Sequence, residues 1–202
     1  MITIVDYGLG NINAFLNVYR RLNIEARTAT SAADLHDASK VILPGVGAFD
    51  HAMERLAASG MREALDDLVL ERQVPVLGVC VGMQMLGHSS DEGRLPGLGW
   101  INGRVRSLAS LAATLPVPHM GWNDARLVGA NPLFGQLEED ARFYFLHSYY
   151  FECDTPADAI ALADYGGEFA CAVNSGNVFG VQFHPEKSHH YGVQLLKNFA
   201  EI

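Results

Sequence analysis

The chain has 202 residues and a formal net charge of −9 with no run of lysine or arginine, which disfavours nucleic acids and anionic membranes as partners, because both need a basic face. Its apolar fraction of 49% and charged fraction of 18% are typical of a globular domain with one sizeable core. It contains no apolar stretch of the roughly 20 residues that a membrane span needs and no signal peptide, so we expect a cytoplasmic location. The three cysteines form no disulfide framework.

The first half of the chain alternates short apolar runs with amphipathic segments. Strands are predicted at 2–6, 24–28 and 41–43, and helices at 12–22, 49–58 and 61–69. A further strand-to-helix unit covers 74–86. This alternation is typical of parallel strands with both faces covered by helices, which is a doubly wound sheet.

The second half is richer in β pattern. Strands are predicted at 98–108, 143–146, 148–151, 160–163, 169–173 and 178–183, with a hairpin turn at 174–177 and a last helix at 191–200. We therefore predict an α/β fold in one domain, residues 1–202, whose mostly parallel sheet is flanked by helices and followed by an antiparallel, β-rich second half.

Cys80 lies between the apolar run that begins at Val74 and the start of a predicted helix, with Gly78 and Gly82 two residues to either side. This is the layout of a nucleophile elbow, a sharp strand-to-helix turn that exposes a nucleophile at the carboxyl edge of a sheet. The following helix N-terminus favours the thiolate. An ordinary buried cysteine remains the alternative.

The run 178–187 is a strand that ends in His184-Pro185-Glu186. A histidine at this place can be the base for an elbow nucleophile, and Glu186 can orient its ring. The alternatives are a core histidine or a metal site formed with His189 and His190, whose spacing fits no strong zinc motif. We expect neither a metal nor a cofactor.

Glycines follow two other predicted strands. The backbone of Gly45, Val46 and Gly47, with the N–H of Val81 after the nucleophile, can form an oxyanion hole. The alternative is a plain turn. Gly8-x-Gly10 weakly suggests a dinucleotide site, but Asn13 stands where a third glycine would be expected, so a structural turn is the better interpretation.

Together, Gly78-Val79-Cys80-Val81-Gly82-Met83-Gln84 and His184-Pro185-Glu186 resemble the signature of the class I (triad) glutamine amidotransferases, and the resemblance covers the whole chain. The stretches 6–11, 44–49, 118–123 and 184–188 are similar to those of the glutaminase subunits of imidazole glycerol phosphate synthases. The sequence departs from this pattern at Ile12-Asn13-Ala14, which touches none of the chemistry.

The resemblance implies that glutamine is hydrolysed to glutamate and ammonia through a cysteine thioester. The ammonia would pass to a (β/α)8-barrel cyclase subunit, in a heterodimer, that makes imidazole glycerol phosphate and aminoimidazole carboxamide ribotide in histidine biosynthesis. Because a free glutaminase would waste glutamine, we hypothesise that the backbone of 44–47 is misaligned in the lone subunit. The glycines at 45 and 47 would permit a peptide flip that completes the oxyanion hole when the partner is loaded.

The resemblance assigns roles residue by residue. Cys80 is the nucleophile, with His184 and Glu186 as its partners. The implied glutamine-binding residues are Gln84, Glu92 (or its neighbour Asp91) and the backbone of Ser148 and Tyr149. The residues implied to face the cyclase are Asn11, His119, Trp122, Asn123 and Lys187.

Three other functions remain open from the sequence. The chain can serve another amidotransferase pathway, or it can be a related cysteine γ-glutamyl hydrolase or peptidase. It can also be a non-catalytic binding subunit, although the intact triad argues against this.

Overall fold

A computed structural model describes residues 1–112, 114–138 and 141–202. The strands are β1 (Ile2–Val5), β2 (Ala26–Ala29), β3 (Val41–Gly45), β4 (Val76–Cys80), β5 (Gly103–Ser107), β6 (His119–Asp124), β7 (Arg126–Leu127), β8 (Arg142–His147), β9 (Tyr149–Cys153), β10 (Ala159–Asp164), β11 (Glu168–Ser175) and β12 (Val178–Val181). The helices are α1 (Ile12–Arg21), α2 (Phe49–Ala58), α3 (Arg62–Asp66), α4 (Val81–Gln84) and α5 (His189–Glu201).

The sheet confirms the predicted α/β architecture. Its parallel part has the strand order β2-β1-β3-β4-β12, so that β12, from the end of the chain, lies directly beside β4. Beyond β12, the sheet continues antiparallel through β11, β10 and β7, while β9 joins β11 to β5. The strands β6 and β8 form a separate antiparallel pair. The predicted change from a parallel first half to an antiparallel, β-rich second half is therefore confirmed.

One hydrophobic core runs through the described residues. The parallel strands β1, β3 and β4 are buried along their whole length, as expected of a sheet covered on both faces. Helix α1 begins at its cap, where the side chain of Asn11 accepts a hydrogen bond from the N–H of Ala14, and it buries Phe15, Val18 and Tyr19. Among the described residues, no helix has the length and apolar character needed to cross a membrane.

Three local predictions differ from the structure. Residues 98–102 are not a strand, although Leu98, Trp100 and Ile101 are buried, because Leu98 and Trp100 donate backbone hydrogen bonds to the carbonyls of Met85 and Leu86 in the preceding loop. The predicted helix at 61–69 is the short α3, followed by a π-helical turn at Asp67–Glu71. Strand β6, by contrast, was not predicted.

Candidate active site

Cys80 is the last residue of β4 and adopts φ 56° and ψ −114°, a conformation that non-glycine residues rarely take. The neighbouring glycines make this turn possible. A Cβ at Gly82 would lie 1.9 Å from the Leu43 carbonyl oxygen, and one at Gly78 would lie 2.7 Å from the Gly82 oxygen. Positions 78 and 82 thus have no room for a side chain, and the turn at Cys80 is a strained nucleophile elbow.

The helix after the elbow differs from the prediction in length. Helix α4 spans only Val81–Gln84, which is a single turn. A single turn still has free backbone N–H groups at its start, so any stabilisation of the sulfur by this helix comes from these groups and not from a long helix.

His184 follows β12, and Val181 of that strand pairs with Val79, next to Cys80. Parallel neighbours end at the same edge of a sheet, so His184 and Cys80 meet there. The 3₁₀ turn at Pro185–Lys187 brings Glu186 back to the ring, where its Oε1 lies 2.9 Å from His184 Nδ1. The side chains of His184 and Glu186 are 5% and 3% exposed. With Nδ1 occupied by the carboxylate, Nε2 is left to interact with Cys80.

Two opposing influences set the protonation of His184. Burial is the largest, and it lowers the pKa. Hydrogen bonds to Cys80 and Glu186, and the charges of both groups, outweigh it and raise the pKa of His184 to about 9. The ring is therefore a cation at neutral pH, held between a carboxylate and the sulfur, which is the state that a nucleophilic cysteine needs.

A cavity of about 280 Å³ opens above the elbow. This volume suits a small ligand, such as a single amino acid, and not a long peptide. The described residues that line it are Val46, Gly47, Cys80, Val81, Gln84, Glu92, Pro118, Leu146, His147, Ser148, Tyr149, His184 and Lys187. The structure thus brings together most of the residues that the sequence nominated, although they are up to 141 positions apart, from Val46 to Lys187.

The oxyanion candidates separate into two groups. Val46, Gly47 and Val81 line the cavity. Gly45 does not, because it ends β3 opposite Cys80, where a Cβ would lie 2.4 Å from the backbone nitrogen of Gly82. Gly45 is therefore needed for close packing against the elbow. Gly47 has φ +84° and open space around it.

The two acidic candidates also separate. Glu92 lines the cavity and accepts a 2.8 Å hydrogen bond from the N–H of Phe49, at the start of α2. Asp91 is directed elsewhere and accepts from the N–H of Ser107 at 3.1 Å, with Arg106 at 3.2 Å. Of the two, only Glu92 is placed to meet a ligand.

Gln84 is buried and its amide is already engaged. Its Nε2 donates to the carbonyl of Tyr149 and to Oε1 of Gln182, both at 3.1 Å. Gln182 was not nominated from the sequence. It is fully buried, and its Nε2 lies 3.8 Å from the Cys80 sulfur. A glutamine in an otherwise apolar run, two residues before His184, was the signal that could have identified it.

The residues expected to face a partner differ in how far they are exposed to solvent. Trp122 is 39% exposed and stacks on His189 with ring centroids 5.2 Å apart, and Lys187 and Asn11 are exposed. Asn123 is half-buried. His119 differs from the expectation, because its side chain is buried against His147 and presents no surface.

The metal alternative has no support in the geometry. The ring of His189 is stacked on Trp122, and the ring of His190 packs against Tyr191 at a tilt. In the described ranges, no three His, Cys, Asp or Glu side chains are grouped so that they could hold a metal ion.

Comparisons with known proteins agree with this geometry. Residues 3–202 match the family model of class-I glutamine amidotransferases. The chain is 62% identical over 204 residues to the imidazole glycerol phosphate synthase subunit HisH of Bdellovibrio bacteriovorus, and 52% identical to that of Leptospira interrogans, with all of each chain covered. The structure of PurLQS from Thermotoga maritima has the same fold, with a TM-score of 0.76 at 18% identity over 99% of this chain and 97% of that one. The chain therefore belongs to the class-I glutamine amidotransferases and, within them, to the HisH family of imidazole glycerol phosphate synthase subunits.

Proposed function

We propose that the chain, acting as one domain over 1–202, hydrolyses glutamine to glutamate and ammonia for imidazole glycerol phosphate synthesis in histidine biosynthesis. The observation that carries this proposal is the contact of Cys80 with a buried His184–Glu186 pair at the wall of an amino-acid-sized cavity. The resemblance to HisH subunits supports glutamine as the substrate.

The first half of the reaction forms a thioester. Glu186 holds His184 through Nδ1, and Nε2 of His184 holds the proton taken from Cys80, so that the sulfur attacks as the thiolate of an ion pair. The sulfur adds to the side-chain carbonyl carbon of glutamine. His184 then gives the proton to the amide nitrogen, the C–N bond breaks and ammonia leaves.

The second half reverses the roles. His184, now neutral, takes a proton from water, and the hydroxide adds to the thioester carbon. The C–S bond breaks, glutamate leaves and the sulfur is again paired with the imidazolium. One glutamine and one water thus give one glutamate and one ammonia.

Backbone N–H groups stabilise the oxyanion in both halves. Val81 is the first residue of α4, so its N–H has no partner within the helix. We assign it to the oxyanion hole together with the backbone at Val46 and Gly47, which lines the same cavity. One such donor contributes about 3 kcal/mol to a reaction of this class.

The cavity also has groups for the two ends of free glutamine. The carboxylate of Glu92 suits the α-ammonium group, and the backbone at Ser148 and Tyr149 suits the α-carboxylate. Gln84 acts on the substrate by holding the Tyr149 carbonyl. A peptide substrate has neither free end, so this arrangement favours the free amino acid.

We assign the cyclase partner to the face around the cavity mouth. Val46 and Leu146 at the mouth, and Met120 and Trp122 on the adjoining β6, are large apolar residues that are 37–61% exposed. Trp122 is the natural anchor of a contact with a (β/α)8-barrel subunit in a one-to-one heterodimer. With the partner on this face, ammonia that leaves the cavity would be released at the partner. Asn11, Asn123 and Lys187 would make further contacts with it.

The test is a glutaminase assay of the chain alone, with the cyclase, and with the cyclase and its nucleotide ligand. We expect stimulation by the loaded partner. Cys80→Ala should abolish glutamine-dependent synthesis and leave ammonia-dependent synthesis by the complex intact. Cys171→Ala, which changes a buried free thiol on β11, is the matched control. The proposal would be contradicted if Cys80→Ala lost both activities, or if it still used glutamine for synthesis.

A further inference from the structure

Two buried histidines outside the triad face each other across the pair β6–β8. His119 and His147 are opposite each other in the strand register, and His119 Nδ1 lies 2.9 Å from His147 Nε2. They are 3% and 5% exposed. His147 also lines the cavity, whereas His119 does not.

The hydrogen-bond partners of the two rings determine which ring nitrogen of each histidine carries the proton. His147 Nδ1 lies 2.8 Å from the carbonyl oxygen of Tyr149, which only accepts, so Nδ1 carries the proton. His147 Nε2 then accepts from His119 Nδ1. His119 Nε2 in turn accepts from the amide Nδ2 of Asn123 at 3.3 Å. That amide is itself oriented, since Nδ2 also donates to the carbonyl of Asp164 at 2.8 Å.

Electrostatics agree with two neutral rings. Burial lowers the pKa of His119 to about 4. Burial also dominates at His147, where the charges of His119 and His184 add to it and the bond to Tyr149 opposes it, and the pKa is lowered to about 3. The rings of Phe145 and Tyr165 stack on His119 with centroids 4.8 and 4.1 Å away, which restricts its rotation.

The chain of hydrogen bonds ends on the wall of the cavity. The Tyr149 carbonyl accepts from His147 at 2.8 Å and from Gln84 at 3.1 Å, so it is held from two directions. Ser148 and Tyr149 line the cavity. One of the two side-chain hydrogen bonds to the Tyr149 carbonyl therefore depends on a residue that does not line the cavity.

We propose that His119 is a positioning residue for glutamine: it holds the ring of His147 in the orientation in which Nδ1–H meets the Tyr149 carbonyl, and this contact keeps the backbone of 148–149 in the geometry that binds the substrate. This role rests on the proposed glutaminase function. Because His119 acts on the binding wall and not on the reacting carbonyl group, its loss raises KM for glutamine and leaves kcat nearly unchanged.

Three variants separate the contacts of His119. His119→Asn keeps an amide donor near the position of Nδ1, towards His147. His119→Gln places its amide near the position of Nε2, towards Asn123, and loses His147. His119→Phe keeps the stack between Phe145 and Tyr165 and loses both hydrogen bonds. We expect KM for glutamine in the loaded complex to rise about tenfold in His119→Phe and His119→Gln, which is the scale of one lost buried hydrogen bond, and to stay within about threefold in His119→Asn.

A second measurement does not depend on turnover. The ¹⁵N shifts of His147 in the full chain report its tautomer, and we expect a single Nδ1–H form in the wild type and His119→Asn. We expect a mixture of tautomers in His119→Phe and His119→Gln, because a His147 ring that has lost its Nε2 partner can turn away from the Tyr149 carbonyl that otherwise fixes Nδ1–H. Equal KM and equal His147 shifts in all three variants would overturn the proposal, as would a loss confined to kcat. If His119→Phe does not fold, the comparison of His119→Asn with His119→Gln at equal thermal stability decides the matter. A wild-type complex without glutaminase activity would overturn the proposed function alone, because the NMR comparison would still stand.

Discussion

The hydroxyl group of Tyr7 donates a 2.7 Å hydrogen bond to the carbonyl oxygen of Pro44 inside the protein. Pro44 lies in β3, two residues before the backbone that lines the cavity. Gly10 closes on the other side of the proline, where a Cβ would lie 2.7 Å from the Pro44 Cβ. The loop after β1 therefore braces the segment that leads into the proposed oxyanion hole.

Tyr7→Phe removes this brace with no change in ring packing. Burial, and to a lesser extent the charge on Cys80, raises the pKa of Tyr7 above its usual value, so the hydroxyl keeps its proton and remains a donor. We expect Tyr7→Phe to cost about 1 kcal/mol of stability and to lower kcat of the loaded complex by about fivefold, with KM for glutamine within about twofold.

Tyr19→Phe is the matched control for this prediction. Tyr19 is also buried and donates to a backbone carbonyl, that of Leu196 at 3.1 Å, but Leu196 belongs to α5 and does not line the cavity. It should lose similar stability, measured by urea unfolding, and keep wild-type kcat. Equal kcat values in the two variants would show that the brace has no catalytic effect.

The elbow was predictable because its chemistry is local. The close approaches around Cys80 exclude side chains at Gly78 and Gly82, and this steric demand appears directly in the sequence. The position of His184 beside Cys80 followed from parallel strands that end at one edge of the sheet. The parallel architecture itself followed from the alternation of apolar and amphipathic segments.

Other features depend on contacts between distant positions. The amide of Gln182 is satisfied by Gln84, 98 positions away, and no local pattern encodes that bond. The family resemblance assigned His119 to a partner face, but in β6 alternate side chains point to opposite faces, and the pairing with β8 turns His119 inward. The register of that pair had no signal in the sequence.

Gly47→Ala tests the proposed oxyanion segment. A residue at φ +84° is strained when it carries a Cβ, although no atom lies within 4 Å of the added carbon. We expect about 1 kcal/mol of strain and a fall in partner-stimulated kcat of about tenfold or more, measured as the ratio of glutaminase rates with and without the loaded cyclase. Gly45→Ala is not informative for this purpose, because its Cβ would collide with Gly82.

Gly176→Ala provides the control for Gly47→Ala. Gly176 also has positive φ, +57°, and open space around it, but it lies in the turn between β11 and β12, away from the cavity. The strain should be similar and the stimulation unchanged. An unchanged stimulation in Gly47→Ala would exclude a rearrangement at this glycine.

The Glu186–His184 pair predicts how stability depends on pH. The pKa of His184 is raised from 6.5 to about 9 by folding. A raised pKa stabilises the folded state fully below about pH 6.5, and this contribution is lost as the pH rises through 9. Glu186→Gln removes the charge that favours the imidazolium, so the variant should lose less stability over this interval, by about 1–2 kcal/mol.

Urea unfolding at pH 6 and pH 9.5 measures this difference. Glu201→Gln is the control. It removes one negative charge, as Glu186→Gln does, but from an exposed partner of Lys197, so it should follow the wild type. Parallel losses in the wild type and Glu186→Gln would mean that the carboxylate does not contribute to the pKa of His184.

Gln182 offers the most direct test of the electrostatics at the sulfur. Its Nε2 lies 3.8 Å from the Cys80 sulfur, and its Oε1 accepts from Gln84, so the amide presents its positive end to the nucleophile. Gln182→Glu would replace that end with a carboxylate oxygen, which opposes a negative sulfur. Gln182→Met keeps the length of the side chain and removes the dipole without adding charge. We expect iodoacetamide labelling of Cys80 at pH 7.5, followed by mass spectrometry, to slow by about tenfold in Gln182→Glu, because a like charge beside the sulfur disfavours its anionic form, and by only about twofold in Gln182→Met. The glutaminase rate of the loaded complex should also fall more in Gln182→Glu than in Gln182→Met. Labelling rates that fall equally in both variants would show that the amide acts through packing, and unchanged rates would show that its dipole has no effect on the sulfur.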